Sequence, residues 1–402
     1  MPTVAVVATL DTKGDEAAFL KERLTQADVV PLIIDVGIKG DPTIGADITR
    51  DQIAAAADTT IDALVQADDR GGAVTQMGRG LTEVITKLAS DRRIDAALAI
   101  GGSGGTSIAA AAFRALPVGF GKLIVSTLAS GQTRPYVGTK DITMMYAVAD
   151  LEGLNKISIP ILANAAAAAA GMARVEPVTT ETRPLIGLTM FGVTTPCVKQ
   201  ASAILREAGY EPVVFHAVGT GGQAFETLIE EGFFEGVLDL TTTEWCDELV
   251  GGVLSAGPTR LDAAAKTATP QVVSVGATDM VNFGPEDSVP ESFRQRNLYV
   301  HNPQVTLMRT TPEENRQLGK VLAEKLNVAT GPTALLLPLR GVSAIDAAGQ
   351  PFDDPEARNA LFNTLREHVD PAKVEIIEID ANINDQSFSQ AAADKLLSYL
   401  NA

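Results

Sequence analysis

Short, continuously apolar runs alternate with amphipathic ones along the chain. Near the N-terminus, "TVAVVATL" is β-branched and uninterrupted, the signature of a strand buried on both faces of a parallel sheet. "GDEAAFLKERLTQAD" follows, with Ala17, Phe19, Leu20 and Leu24 at helical spacing. "VVPLIIDVG" and "IDAALAIGG" repeat the strand pattern, the latter leading into a helical "TSIAAAAFRAL". "GKLIVSTLASG" supplies a further strand and loop. This rhythm predicts βαβ units in an open parallel sheet.

The rhythm pauses at "NAAAAAAGMARVEPVTTETRP". Its alanines read either as a closely packed helix or as a helix end running into a linker. The Pro- and Thr-rich stretch from Glu176 to Pro184 marks a boundary, giving domains 1–180 and 181–402. Strand, loop, helix and strand then return in "RPLIGLTMFGVTTPCVKQASAILREAGYEPVVFHAVGTGG", in the order and rough length of the first segment. Later strands are expected at "EGVLDLTT", "QVVSVGA", "TALLLPLRG" and "KVEIIEID". The predicted fold class is α/β: two tandem Rossmann-like, doubly wound parallel-sheet domains facing a cleft. Ligands are expected at the carboxyl ends of the strands and in that cleft.

Composition narrows the partners. A chain of 402 residues with 46% hydrophobic content is long enough for two sizeable cores. Its formal net charge of −18 disfavours nucleic acid and anionic membranes, so an anion is held only where backbone amides or a few cations reverse the field locally. No apolar run is long enough to span a membrane. The first residues lack the basic region of a signal peptide. The only cysteines, Cys197 and Cys246, have no metal spacing and fit a reducing, cytoplasmic compartment.

The loops after the strands carry the candidate chemistry. Gly101, Gly102, Ser103, Gly104, Gly105 and Thr106 join an apolar run to a helix. Glycines let the backbone approach a ligand, and the helix start adds unpaired N–H groups and the positive end of its dipole. The loop reads as a phosphate cradle or as a plain tight turn. It matches neither a Walker A sequence nor an intact G-x-G-x-x-G. In "TLDTKGDE", Asp11, Thr12 and Lys13 meet at a strand end, where Lys13 suits a phosphate and Asp11 a phosphate-bound Mg²⁺, or where they merely cap a helix. Asp35, with Gly37 after it, stands where ribose hydroxyls are often bound. Ser126, Thr127 and Gly131 close the same pocket or form an ordinary turn.

In the second half, Thr194 and Thr195 precede a helix start at Pro196, and His301 and Asn302 stand near Arg309 in "LYVHNPQVTLMRTT". Arg340 and Gly341 end a strand, and Gly219, Gly221 and Gly222 form another glycine loop that leaves open a second ligand site. His301 and Arg340 are the candidate catalytic residues, with a core or capping role as the alternative for His301. Cys197 falls in a first helical turn, where a dipole would lower its pKa and burial would raise it. The three histidines do not pair at zinc spacing.

Seven blocks in order, "VATLDTKGDE", "AIGGSGGTS", "MFGVTTPCV", "DLTTTEW", "ATDMVNFGP", "HNPQVTLMRTT" and "PLRGVSAIDAAGQPFDDPEA", resemble an uncharacterised bacterial family similar to the ATP-binding N-terminal domain of the tomato mosaic virus resistance protein. The resemblance covers nearly the whole chain. It implies a Rossmann-like fold of two subdomains that binds ATP with Mg²⁺ and forms a homodimer. Plant relatives carry an additional barrel-like domain, so the resemblance also implies that any function needing that domain comes here from a separate partner protein. Two functions stay open: a Mg-ATP-binding protein acting as a switch or enzyme, and an enzyme acting on a small phosphorylated or carboxylated metabolite in the interdomain cleft.

Overall fold

The computed structural model describes residues 1–176 and 183–401, in two compact units, Met1–Val178 and Thr179–Ala402. The boundary expected between residues 180 and 181 lies outside the described residues. No helix among the described residues is long and apolar enough to cross a membrane.

In chain order the first unit runs β1 (Thr3–Ala8), α1 (Gly14–Gln26), β2 (Val30–Asp35), α2 (Arg50–Ala56), α3 (Ile61–Gln66), α4 (Arg70–Ser90), β3 (Ala96–Gly101), α5 (Ser103–Phe113), β4 (Gly121–Ser126), α6 (Arg134–Val137), β5 (Thr143–Tyr146) and α7 (Ser158–Met172). Its five strands are parallel in the order β2-β1-β3-β4-β5. The period of two along β1 divides the core between the two faces. Val4, Val6 and Ala8 pack with Leu20 and Leu24 of α1 and the buried alanines of α7; Ala5 and Val7 pack with Met77 and Leu81 of α4 and Ile108 of α5. The alanine run thus forms a packed helix, whose Ala165, Ala166, Ala169 and Ala170 lie against the sheet.

The second unit runs β6 (Leu185–Met190), α8 (Thr195–Glu207), β7 (Glu211–His216), α9 (Thr220–Glu230), β8 (Gly236–Thr241), α10 (Glu244–Val250), α11 (Ala263–Thr267), β9 (Gln271–Gly276), β10 (Met280–Phe283), β11 (Leu298–Asn302), β12 (Val305–Arg309), α12 (Pro312–Asn327), β13 (Thr333–Pro338), α13 (Pro355–His368), β14 (Glu375–Ile379) and α14 (Gln386–Leu400). Its six-stranded parallel sheet is ordered β14-β13-β9-β8-β6-β7, the first unit's order with one strand added. The two α/β units are therefore both doubly wound, Val273 and Val275 facing α12 and α13 while Val272 joins the core of α8 and α14.

One element departs from the sequence reading. "LYVHNPQVTLMRTT" is the hairpin β11–β12 of a three-stranded antiparallel sheet, not a loop beside a strand end. Thr306, Leu307, Met308 and Arg309 point into or along a buried surface, which binds the hairpin to β10.

The second unit also buries acids. Burial pushes Asp247 and Asp279 each up to about 7, the latter helped by the neighbouring Asp346. An acid whose pKa rises on folding keeps its proton in the native state. The native chain then binds more protons than the unfolded chain between about pH 4 and 7, and stability falls as pH rises through that window. Calorimetry from about pH 5 to 7.5 should show the transition of this unit moving to lower temperature, with a shallower slope in Asp279→Asn. A flat or rising profile would contradict the assignment.

Candidate functional site

The chain leaves β1 for β2 on one side, then crosses back to β3 and continues on the other. Such a reversal opens a crevice at the carboxyl ends of the two central strands. A cavity of about 1020 Å³ lies there, entirely within the first unit. Asp11, Thr12, Lys13, Gly102, Ser103, Gly104, Gly105 and Thr127 all line it, so the structure gathers the loops that follow β1, β3 and β4.

α5 begins at Ser103, and no side chain caps its N-terminus. Its first N–H groups therefore face the cavity with the dipole behind them. A Cβ on Gly101 would come within 2.9 Å of the Gly105 Cα, so glycine there lets strand end and helix start close together. Behind the loop, Thr106 and Ser126 are buried and share a hydroxyl–hydroxyl bond of 2.6 Å, which ties α5 to the end of β4.

The remaining predicted residues have other places. Asp35 is 2% exposed; its Oδ1 accepts from the N–H groups of Leu10 and Gly37 at 3.0 and 2.8 Å, holding the β1 and β2 loops together instead of lining the cavity. Burial raises its pKa, against those two hydrogen bonds. Asp11 faces the cavity, with Oδ2 accepting from the Gly40 N–H at 3.2 Å. Gly131 is exposed in the turn that follows Leu128.

Sequence reasoning missed most of the cavity wall. Lys39 and Arg70 line it, and with Lys13 they make three cations without an ion-pair partner among the described residues. Arg70 is the first residue of α4, at the positive end of a 21-residue helix, and its Nη2 lies 4.0 Å from where a Gly104 Cβ would stand. A cation there opposes its own helix dipole. The signal was readable: Asp69, the N-cap, precedes Ala73, Met77, Leu81, Ile85 and Leu88 at helical spacing. Tyr146 and Val148 complete the opposite rim. Val148 has φ +64°, and the Ala149 N–H donates to the Ala147 carbonyl across it at 2.7 Å. A β-branched residue in such a three-residue turn is strained, and here the turn holds an exposed isopropyl group over the cavity.

The second unit's residues are not gathered in this way. His301 is exposed on β11, at the end of the hairpin opposite Arg309. Asn302 ends β11, and its Oδ1 accepts from the Gln304 N–H in the hairpin turn. Arg309 is buried, donating to Asp346 at 3.2 Å and to the Phe352 carbonyl at 2.9 Å. Arg340 is exposed and pairs with Asp380, and Gly341 continues the same strand-end turn. Thr194 bonds Thr241 at 2.8 Å, and both Thr194 and Thr195 donate to the Phe191 carbonyl at the start of α8. Cys197 is buried nearby, and burial outweighs any helix-dipole effect, pushing its thiol up to about 12.

The second glycine loop is filled from within. The N–H groups of Gly219 and Gly222 donate to Glu244 Oε1 at 2.7 and 3.1 Å. Gly219 has φ +84°, and a Cβ on Gly222 would stand 2.1 Å from Glu244 Oε2. An internal carboxylate thus sits where an anion would bind at α9, whereas among the described residues no side chain caps the start of α5.

Comparison with known proteins bears on the whole chain. A "UPF0261 protein" of Clostridium tetani is 52% identical over 99% of this chain and 98% of its own length. One from Mesorhizobium japonicum is 46% identical over 98% of each. The ToMV resistance protein Tm-1(GCR237) of Solanum lycopersicum is 40% identical over 98% of this chain, which spans 55% of the tomato protein. The N-terminal domain of uncharacterised protein family UPF0261 matches residues 2–177 and its C-terminal domain matches 183–400. With both domains present and relatives aligned almost end to end, the chain belongs to the UPF0261 family.

Proposed function

We propose that the first unit binds Mg-ATP in this cavity, with the phosphates over the start of α5. One observation carries the reading: an uncapped helix N-terminus opens into a cavity where three cations, Lys13, Lys39 and Arg70, have no ion-pair partner among the described residues although aspartates share the lining, in a protein of net charge −18. A polyanion satisfies the helix amides together with Lys13 and Arg70. Asp11 is suited to Mg²⁺, because it lines the cavity at the first strand end and magnesium is commonly held by one or two carboxylates beside phosphate oxygens. A magnesium ion would therefore take most of its ligands from phosphate oxygens and water, neutralising their charge. Lys13 and Arg70 would orient the phosphates, and Thr12 and Thr127 would offer hydroxyls at the same wall.

Calorimetric titration with ATP, with and without Mg²⁺, tests this, and phosphate release in the same samples separates an enzyme from a switch. Arg70→Gln should weaken ATP binding by roughly tenfold, or about 1.4 kcal/mol, with the melting temperature unchanged because the exposed side chain has no ion pair to lose among the described residues. Absence of ATP binding by the parent protein would transfer the site to another phosphorylated metabolite.

A further inference from the structure

The cavity is wider than one phosphate anchor requires. Its volume of about 1020 Å³ stands at the upper end of single-ligand pockets. α5 emerges from β3, the middle of the five strands, so two strand spacings, roughly 10 Å, extend on either side of the anchor. Each wing ends in its own apolar wall. On the β5 side Leu128, Tyr146 and Val148 stand with Asp150 and Thr127, an aromatic surface edged by hydrogen-bond acceptors. On the β2 side Val36, Ile38, Leu64 and Val65 form an aliphatic wall, with Lys39 next to it.

A nucleotide fixed by its phosphates at the centre extends into one wing and leaves the other free. The acceptors and the tyrosine ring match the donor edges and flat face of a nucleoside. The aliphatic wall offers a base no aromatic face; of the carboxylates at its edge, Asp69 is engaged in capping α4 through the Gly72 N–H and Asp68 is exposed. We propose that the β2-side wing is a second subsite, which takes a small molecule with an apolar body and a carboxylate. Ile38, Leu64 and Val65 contact the body and Lys39 meets the carboxylate. The inference rests on the nucleotide reading for what occupies the other wing, but the subsite itself is tested without ATP.

The probe is 2-naphthoate, with 2-naphthalenemethanol as its uncharged counterpart, titrated by calorimetry into the full chain. The acid should bind one per chain and about tenfold more tightly than the alcohol. Lys39→Ala should remove that difference while leaving the alcohol's affinity unchanged. Val65→Asp, at a half-exposed position of α3, should weaken both by at least about tenfold. Saturating Mg-ATP should leave naphthoate affinity within about threefold. No binding by the parent chain, or parental binding in both variants, would overturn the subsite. Full competition by Mg-ATP would overturn the two-wing arrangement. Naphthoate binding with the expected variant effects, in a chain that does not bind ATP, would uphold the subsite and end the nucleotide reading.

Discussion

Gly104→Asp should abolish nucleotide binding and leave the protein folded. The position has room for a side chain: its nearest neighbours to a new Cβ are Val74 Cγ2 at 3.8 Å and Arg70 Nη2 at 4.0 Å. An acidic residue in the first turn of a helix is favoured by the dipole, and aspartate in place of glycine changes helix propensity by only about a few tenths of a kcal/mol. The new carboxylate would bond the α5 amides and Arg70, the groups assigned to phosphate. The second unit already contains such an arrangement, with Glu244 lodged at the start of α9. Loss of ATP affinity by at least about a hundredfold, some 2.7 kcal/mol, is expected with an unaltered melting temperature. Unchanged affinity in the folded variant would remove the phosphate from α5.

The largest loss of stability is expected from Arg260→Leu. This arginine is 1% exposed and bonds Glu226 at 2.9 Å, Glu244 at 2.7 Å and both oxygens of Asp239 at 2.5 and 2.6 Å. Burial raises the pKa of Glu226 and of Glu244 even with the arginine beside them. Leucine would leave three buried carboxylates facing one another without a counter-ion. Removing one partner from a buried ion pair costs about 3–5 kcal/mol, which at about 3 °C per kcal/mol is a fall of roughly 9–15 °C for a unit of this size. Calorimetry would locate the loss in the second unit's transition. A variant melting with the parent would show that the carboxylates had taken up protons at no cost.

The parallel strands were legible because they are buried on both faces and so spell continuous apolar runs, as in Val4–Ala8 and Leu335–Leu337. The hairpin β11–β12 was not, since Tyr299, Val300 and His301 lie on a partly exposed edge where no period stands out. The glycine loop and Asp11–Lys13 were found because strand ends are where a parallel sheet presents its chemistry. Arg70, Leu64 and Val65 were missed because they come from helices inserted between β2 and β3, and only the sheet's crossover brings them to the cavity. Likewise, nothing local distinguishes the loop at Gly219 from that at Gly102. What differs is a glutamate 25 residues farther along the chain. A glycine loop in sequence is a backbone shape, and its occupant is decided elsewhere.

The two cysteines have a use beyond packing. Both lie in the second unit, Cys197 on α8 and Cys246 on α10, and both are buried with thiols held far from ionisation. A maleimide or disulfide reagent needs a thiolate it can reach, so the native chain offers it nothing at neutral pH. Modification then waits for an opening of the surrounding structure and proceeds at the rate set by that opening. The first unit contains no cysteine and is silent to the reagent. The chain therefore carries a built-in chemical clock for the breathing of one half, against which the effect of any ligand added to the other half can be timed.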